Sequence, residues 1–527
     1  MPRIFASLLA GVLTVAAATA TAQQPAAAPA ATVAERIEAH LAQPRFAGAS
    51  WGIKAVSLDT GRVLHEHDPD RRLVPASTAK LYTGALALAT LGPDHRIATT
   101  LLATAKPTRD GNLRGDLILF GYGDPTLGTP EHARWAEELA DAAAKAGIRK
   151  VEGDLIADAT QFAAPSHGGG WEAADLQSWF AVPATALSVN ENVVRLFVAP
   201  GDRAGDAARL RFEPPVLGQA FDVDNAMRTV APPQRSDISL VRRPGEHRLT
   251  AFGRVALRAK EVDYRLSLPD PPLLAGHLLR RALGERGIAV TGKLRSIAWP
   301  RVDEARQGER VWQVGETWSP PLSAILKRGF KLSQNLYMQN LLLLVGVREE
   351  LRVREAAEGK PEPPFRTTEQ HALAAMRRYL GSLGIAPDEA QLDEGAGLSR
   401  RNLTTAAAFV KLLVAHADDP AKLAFRSALP ESGVDGTLAG RLRDPSARGR
   451  VFAKTGAMRN TASLAGYATT TTGERIAFAL ILNNYVRPPS GGRTSAELDE
   501  IVRILLDAPR SAPADRAAAG ATAGPQP

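Results

Sequence analysis

Ser77 and Lys80 stand three residues apart in Pro75-Ala76-Ser77-Thr78-Ala79-Lys80, just ahead of an apolar helical pattern. At helical spacing the two side chains project from one face, so the amine can reach the hydroxyl and take its proton. A serine at a helix start also sees free N–H groups and the positive end of the helix dipole, which suit an oxyanion. The chemistry expected of such a pair is acyl transfer through a serine nucleophile. Taken singly, the tetrad also reads as an N-capping serine followed by a solvated lysine.

Two further groups change the weight of that pair. Lys331-Leu332-Ser333-Gln334-Asn335 offers a hydroxyl and an amide on a turn between two helical patterns, which alone is ordinary loop chemistry. Val451-Phe452-Ala453-Lys454-Thr455-Gly456 places a cation and a hydroxyl on an alternating β-run, where Gly456 permits close backbone approach. Alone it suits a lysine on an edge strand. All three occur in one order, the first opening a helix, the second between helices and the third on a strand.

The elements that must position these residues lie at opposite ends of the chain. Residues 50–67 form two extended segments around Asp59-Thr60-Gly61, a hairpin signal. Residues 450–457, 461–469 and 475–483 are β-rich runs separated by Met458-Arg459-Asn460 and Thr471-Thr472-Gly473. Five strands sharing one antiparallel sheet are expected. Helical patterns at 79–91, 336–347, 370–383 and 496–506 accompany them, the first closing at Gly92-Pro93 and the third at Gly384. The expectation is an α+β catalytic domain built from 33–93 and 312–510. Residues 94–311, rich in short extended runs with few helices, read as inserted, mainly β material.

The 527 residues are 45% hydrophobic and 23% charged, the balance of a packed globular protein with room for several domains. Arg3, the apolar stretch 4–18 and Ala20-Thr21-Ala22 predict a signal peptide over 1–22 and an exported, periplasmic or otherwise extracytoplasmic protein. Beyond the leader no stretch sustains the ~20 apolar residues of a spanning helix, so no transmembrane anchor is expected. Residues 24–32 and 511–527 are Ala/Pro-rich, and the latter reads as a disordered tail. The absence of cysteine excludes disulfides, thiolate metal sites and cysteine nucleophiles. A net charge of +8 without an aromatic-plus-basic motif points away from nucleic acid and toward peripheral association with an anionic envelope. His65-Glu66-His67-Asp68 invites a metal, but two histidines on one strand face without a third placed ligand make a poor site, and no metal or cofactor is expected. The oligomeric state is not legible.

Ser-x-x-Lys, Ser-x-Asn and Lys-Thr-Gly in that order form the signature of β-lactamases and penicillin-binding proteins. The chain resembles in particular the DD-peptidases typified by penicillin-binding protein 4, over nearly all of the expected mature length. Gly121-Tyr122-Gly123-Asp124-Pro125-Thr126-Leu127, Ala186-Leu187-Ser188-Val189-Asn190-Glu191-Asn192 and Gly433-Val434-Asp435-Gly436-Thr437 are similar to that family, and the long interval between Ser77 and Ser333 fits its large insertion. Two departures stand out: Glu394-Gly395-Ala396-Gly397 replaces the commoner Asp-Gly-Ser-Gly, and Gln334 replaces the more frequent Asp. The resemblance implies a penicillin-binding/β-lactamase-like transpeptidase fold and a D-Ala-D-Ala carboxypeptidase or DD-endopeptidase acting on peptidoglycan stem peptides and acylated by β-lactam antibiotics. It implies Ser77 as nucleophile, Lys80 as base, Ser333, Asn335 and Lys454 as further catalytic residues, and Thr455, Gly456 and Ala457 as substrate-binding residues. The N–H groups of Ser77 and Ala457 would form the oxyanion hole. A serine β-lactamase and a non-catalytic wall-binding scaffold of the same fold remain the alternatives.

Overall fold

The computed structural model describes residues 31–302, 311–418, 423–487 and 492–510. The leader expected over 1–22, most of the stretch 24–32 and the tail 511–527 lie outside them.

Strands β1 (Ser50–Ser57), β2 (Val63–His67), β3 (Val451–Met458), β4 (Thr461–Thr469) and β5 (Arg475–Asn483) form one antiparallel sheet in the order β2-β1-β5-β4-β3. Ile53 of β1 pairs with Leu480 of β5, and Lys454 of β3 pairs with Ala465 of β4, so the two ends of the chain meet as expected. Strands β4 and β5 are buried almost end to end because both sheet faces are covered. On the outer face Ile476, Phe478, Leu480 and Leu482 join Ile37 of helix α1 (Val33–Leu41) with Leu498 and Ile501 of the last helix, Ser495–Leu506. On the inner face Ala477, Ala479 and Ile481 belong to a second, larger core.

That core surrounds two helices. In α2 (Lys80–Leu91) every residue from Lys80 to Leu88 is buried, and in the helix Asn335–Ala356 so is every residue from Asn335 to Gly346. A helix apolar on all sides belongs in the middle of a domain. Gly84 lets α2 approach the helix Leu322–Lys331, since a Cβ there would meet Phe330 Cε1 at 2.9 Å.

Among its described residues the inserted stretch is mainly β with two α-helices, as its sequence suggests. Its main sheet orders Leu294–Ile297, Leu155–Asp158, Leu117–Gly121, Ala98–Ala103 and Trp312–Trp318, with the first two pairings parallel. Helices Trp135–Lys145 and Pro271–Glu285 pack against that sheet. Strand Trp312–Trp318, placed by its sequence with the catalytic part, hydrogen-bonds to Ala98–Ala103 and thus completes the inserted sheet. Leu117 and Leu155 share one buried cluster with Leu81 and Leu341, which makes the insertion continuous with the helical core.

Candidate active site

The turn carrying Ser77 is a 3-10 turn, Ala76–Ala79, that leads into α2, so Lys80 is the first residue of the α-helix proper. Ala76 has a left-handed backbone, φ 50°, which is uncommon for a residue with a Cβ and marks a constrained turn. The sheet holds that turn in place. Thr78 Oγ1 donates to the Pro75 carbonyl at 2.7 Å and lies 3.1 Å from Ser463 Oγ of β4, whose hydroxyl also donates to Pro75. Gly456 of β3 faces the same turn, where a Cβ would meet the Pro75 carbonyl at 2.6 Å. A side chain at 456 would therefore push the sheet edge away from Ser77.

Lys80 Nζ donates to Ser77 Oγ at 2.9 Å, to Asn335 Oδ1 at 2.5 Å and to the Ala396 carbonyl. The amine is wholly buried, and that desolvation lowers its pKa from 10.5 to about 7, with the Glu394 charge acting in the opposite direction. Burial, rather than neighbouring Lys454, is thus the main reason the amine can be neutral. Lys454 is also wholly buried and is held well below 10.5 first by burial and then by the charges of Lys80 and Arg441. Its Nζ donates to Ser333 Oγ at 2.9 Å and to the Thr455 carbonyl at 2.7 Å. Ser333, like Ala76, has a left-handed backbone, φ 57°. Two residues on, Asn335 opens its helix and donates from Nδ2 to the Phe180 carbonyl at 2.6 Å. Thr455 Oγ1 donates to Thr437 Oγ1 at 2.8 Å.

A cleft of about 600 Å3 opens over these groups and is lined by Ser77, Ser333, Asn335, Thr437 and Ala457. The structure therefore brings together all eight residues singled out from the sequence. It adds others that carried no sequence signal. Glu172, Asp175, Trp179 and Phe180 come from the insertion, Arg400 from the loop after Glu394, and Arg459 from the β3–β4 turn. Arg400 ties two of these walls together, donating to Glu172 Oε1 at 2.8 Å and to the Arg459 carbonyl at 3.2 Å. Asn340 Nδ2 donates to the Gly123 and Thr185 carbonyls, each at 3.1 Å, so the family-like segments near 121–127 and 186–192 brace the helix behind Asn335. Tyr337 is fully buried in that helix. His65 and His67 both face Glu38 of α1, at 3.4 and 3.2 Å. Among the described residues no group of three or more His, Cys, Asp or Glu side chains is arranged to hold a metal, and no helix is long and apolar enough to cross a membrane.

A five-stranded antiparallel sheet whose edge strand carries Lys-Thr-Gly beside a cleft-lining serine hydrogen-bonded to a buried lysine is the architecture of the penicillin-recognising serine enzymes. The chain belongs to the D-Ala-D-Ala carboxypeptidase 3 (S13) family, whose model matches residues 33–505. It is 31% identical to a D-alanyl-D-alanine carboxypeptidase of Actinomadura sp. strain R39, over 86% of this chain and 81% of that protein. It is 27% identical to the D-alanyl-D-alanine carboxypeptidase DacB of Haemophilus influenzae, over 83% and 86% respectively. The crystal structure of penicillin binding protein 4 from H. influenzae superposes with a TM-score of 0.74 at 24% identity, covering 89% of this chain and 98% of that one, which shows the shared fold. A second structure of the H. influenzae protein is a complex with a novel β-lactam. Membership of the family makes this chain a serine-type carboxypeptidase, a hydrolase of the penicillin-binding class.

Proposed function

We propose that Ser77 is the nucleophile of a D-Ala-D-Ala carboxypeptidase that works on peptidoglycan stem peptides outside the cytoplasm and also opens D-Ala cross-links. The observation that carries this reading is the 2.9 Å hydrogen bond between Ser77 and a Lys80 amine that burial has made a usable base. Ser77 Oγ attacks the carbonyl carbon of the penultimate D-Ala while its proton passes to Lys80 Nζ. The N–H groups of Ser77 and Ala457 receive the oxyanion. Collapse breaks the C–N bond while Ser333, hydrogen-bonded to Lys454, relays to the departing amine the proton that Lys80 had taken up, which leaves Lys80 neutral again. Water then attacks the ester and gives a proton to Lys80 Nζ, which passes it to Ser77 Oγ as the C–O bond of the ester breaks. Asn335 holds the substrate amide. Lys454 and Thr455 bind the terminal carboxylate, whose negative charge favours the protonated form of the buried Lys454 amine. β-Lactams enter by the same first step and leave a stable ester on Ser77.

A carboxylate flanks the scissile bond in a pentapeptide end and in a cross-link to a diaminopimelate centre, so one recognition device serves both. The smaller substrate meets less of the wall formed by Glu172, Asp175 and Trp179. Purified pentapeptide monomer and cross-linked dimer offered separately test this: both turn over, the monomer faster. Hydrolysis of penicillin with turnover of neither would make the chain a β-lactamase instead.

A further inference from the structure

Glu394 has only 1% of its surface exposed, and both its carboxylate oxygens are fully engaged. Oε1 accepts from Gly397 N at 2.7 Å, Leu398 N at 3.0 Å, Ser399 N at 3.4 Å and Asn402 Nδ2 at 2.6 Å. Oε2 accepts from Ala396 N at 2.7 Å and from Trp171 Nε1, which reaches in from the insertion, at 3.1 Å. These donors are all neutral N–H groups. An ionised carboxylate only accepts, so this shell suits the charged form and offers no acceptor to a protonated one.

The loop wound on this carboxylate touches both catalytic partners. Ala396, whose N–H is held by Oε2, presents its carbonyl to Lys80 Nζ. Gly397, φ 73°, lies beneath the nucleophile's turn, where a Cβ would come within 3.0 Å of Ser77 Cα. Gly395 is held from the other side, donating to Gln339 Oε1 at 2.8 Å, while Gln339 Nε2 donates to Glu369 Oε1 at 2.7 Å.

We propose that Glu394 is a positioning residue for acylation: it shapes the 394–399 loop so that the Ala396 carbonyl meets the Lys80 amine, and it supplies the negative charge that balances that buried amine. The inference rests on the reading of Lys80 as the base for Ser77. The charged groups around the pair are Lys454, on the strand side, and Glu369, Asp393 and Arg401, on the loop side. Glu369 needs a control of its own, because burial raises its pKa from 4.5 to about 7, into the same range as Lys80.

The sign of the electrostatic effect follows from attraction. Glu394 favours protonated Lys80, so removing its charge frees the amine at lower pH. The experiment measures the acylation rate constant with a fluorescent penicillin from pH 5 to 9 on the full chain and on E394Q, E394D and E369Q. In E394Q one oxygen becomes a donor facing other donors, so the plateau rate falls by about tenfold or more and the acid limb moves to lower pH. E394D keeps the charge but withdraws it by one methylene. Its limb stays in place while its rate falls several-fold, which tests the positioning role even if E394Q does not fold. E369Q leaves the limb where it was. A limb that does not move in E394Q, or an undiminished rate in E394D, overturns the proposal. A parent enzyme with no acid limb overturns the reading of Lys80 itself, so the two failures are told apart.

Discussion

The titration of Lys80 makes the sharpest demand on the mechanism. A solvated lysine near 10.5 leaves only ~0.03% of the amine neutral at pH 7, whereas one at about 7 is half neutral, a gain of roughly a thousandfold in available base. The proton must leave before the amine can act, so activity is lost on the acid side. The neutral fraction falls from about nine-tenths at pH 8 to about one-tenth at pH 6, so acylation should slow roughly tenfold across that interval and then about tenfold per further unit. Single-turnover acylation by a fluorescent penicillin, followed by stopped flow at constant ionic strength, reads this directly and avoids the deacylation step. A rate constant flat from pH 8 to pH 5 would refute the argument, because a buried amine that needs no deprotonation is not the base. A limb centred above pH 9 would show that burial does not lower it.

Other consequences bear on separate parts of the site. The Lys80 pKa is about 7 folded and 10.5 unfolded, so the unfolded state holds more protons between those values and stability contributed at this position rises with pH. Burying the amine costs on the order of 4 kcal/mol at pH 7 and almost nothing near pH 10.5; Lys80→Met should therefore compare best with the parent in thermal melts at pH 6.5 and lose ground by pH 9.5, and a pH-independent difference contradicts this. Asn335→Ala removes one acceptor from Lys80 and frees the Phe180 carbonyl, so acylation should drop by about 10- to 100-fold with little change in melting temperature; an unchanged rate argues against its role. Thr455→Val severs the link to Thr437 and removes the hydroxyl proposed to bind the terminal carboxylate, so its loss should show mainly as weaker binding of substrates with a free terminal carboxylate, and equal loss on a carboxyl-amidated peptide would count against that assignment.

How much of this was legible beforehand depends on the range over which each signal acts. Ser77 and Lys80 are linked by one turn, and Lys454 and Thr455 by a strand, but either spacing alone also fits ordinary surface chemistry, and it was the order of the three motifs and the family resemblance that made the site readable. The five-stranded sheet was readable because Asp59-Thr60-Gly61 marks a hairpin at one end of the chain and the β-rich runs 450–457, 461–469 and 475–483 are set off by turn residues at the other. The left-handed turns at Ala76 and Ser333 were not readable, since neither position has the glycine that usually announces such a backbone. Nor was the cleft wall at Glu172, Asp175, Trp179 and Phe180, which reaches the site only through the packing of the insertion. The pairing of Trp312–Trp318 with Ala98–Ala103 is likewise a tertiary choice that neither segment's composition dictates. The substitution at Glu394-Gly395-Ala396-Gly397 stood out as a departure in the sequence, and only the six donors around the carboxylate give it a physical meaning.

The central claim, that a covalent acyl-enzyme forms on Ser77, is tested most directly by mapping the penicillin adduct. The full chain is incubated with benzylpenicillin, quenched in acid, digested and sequenced by tandem mass spectrometry. The account predicts one penicilloyl group per molecule, carried on Ser77, and none in Ser77→Ala. An adduct on Ser333 or any other residue, or none in the parent protein, would contradict it.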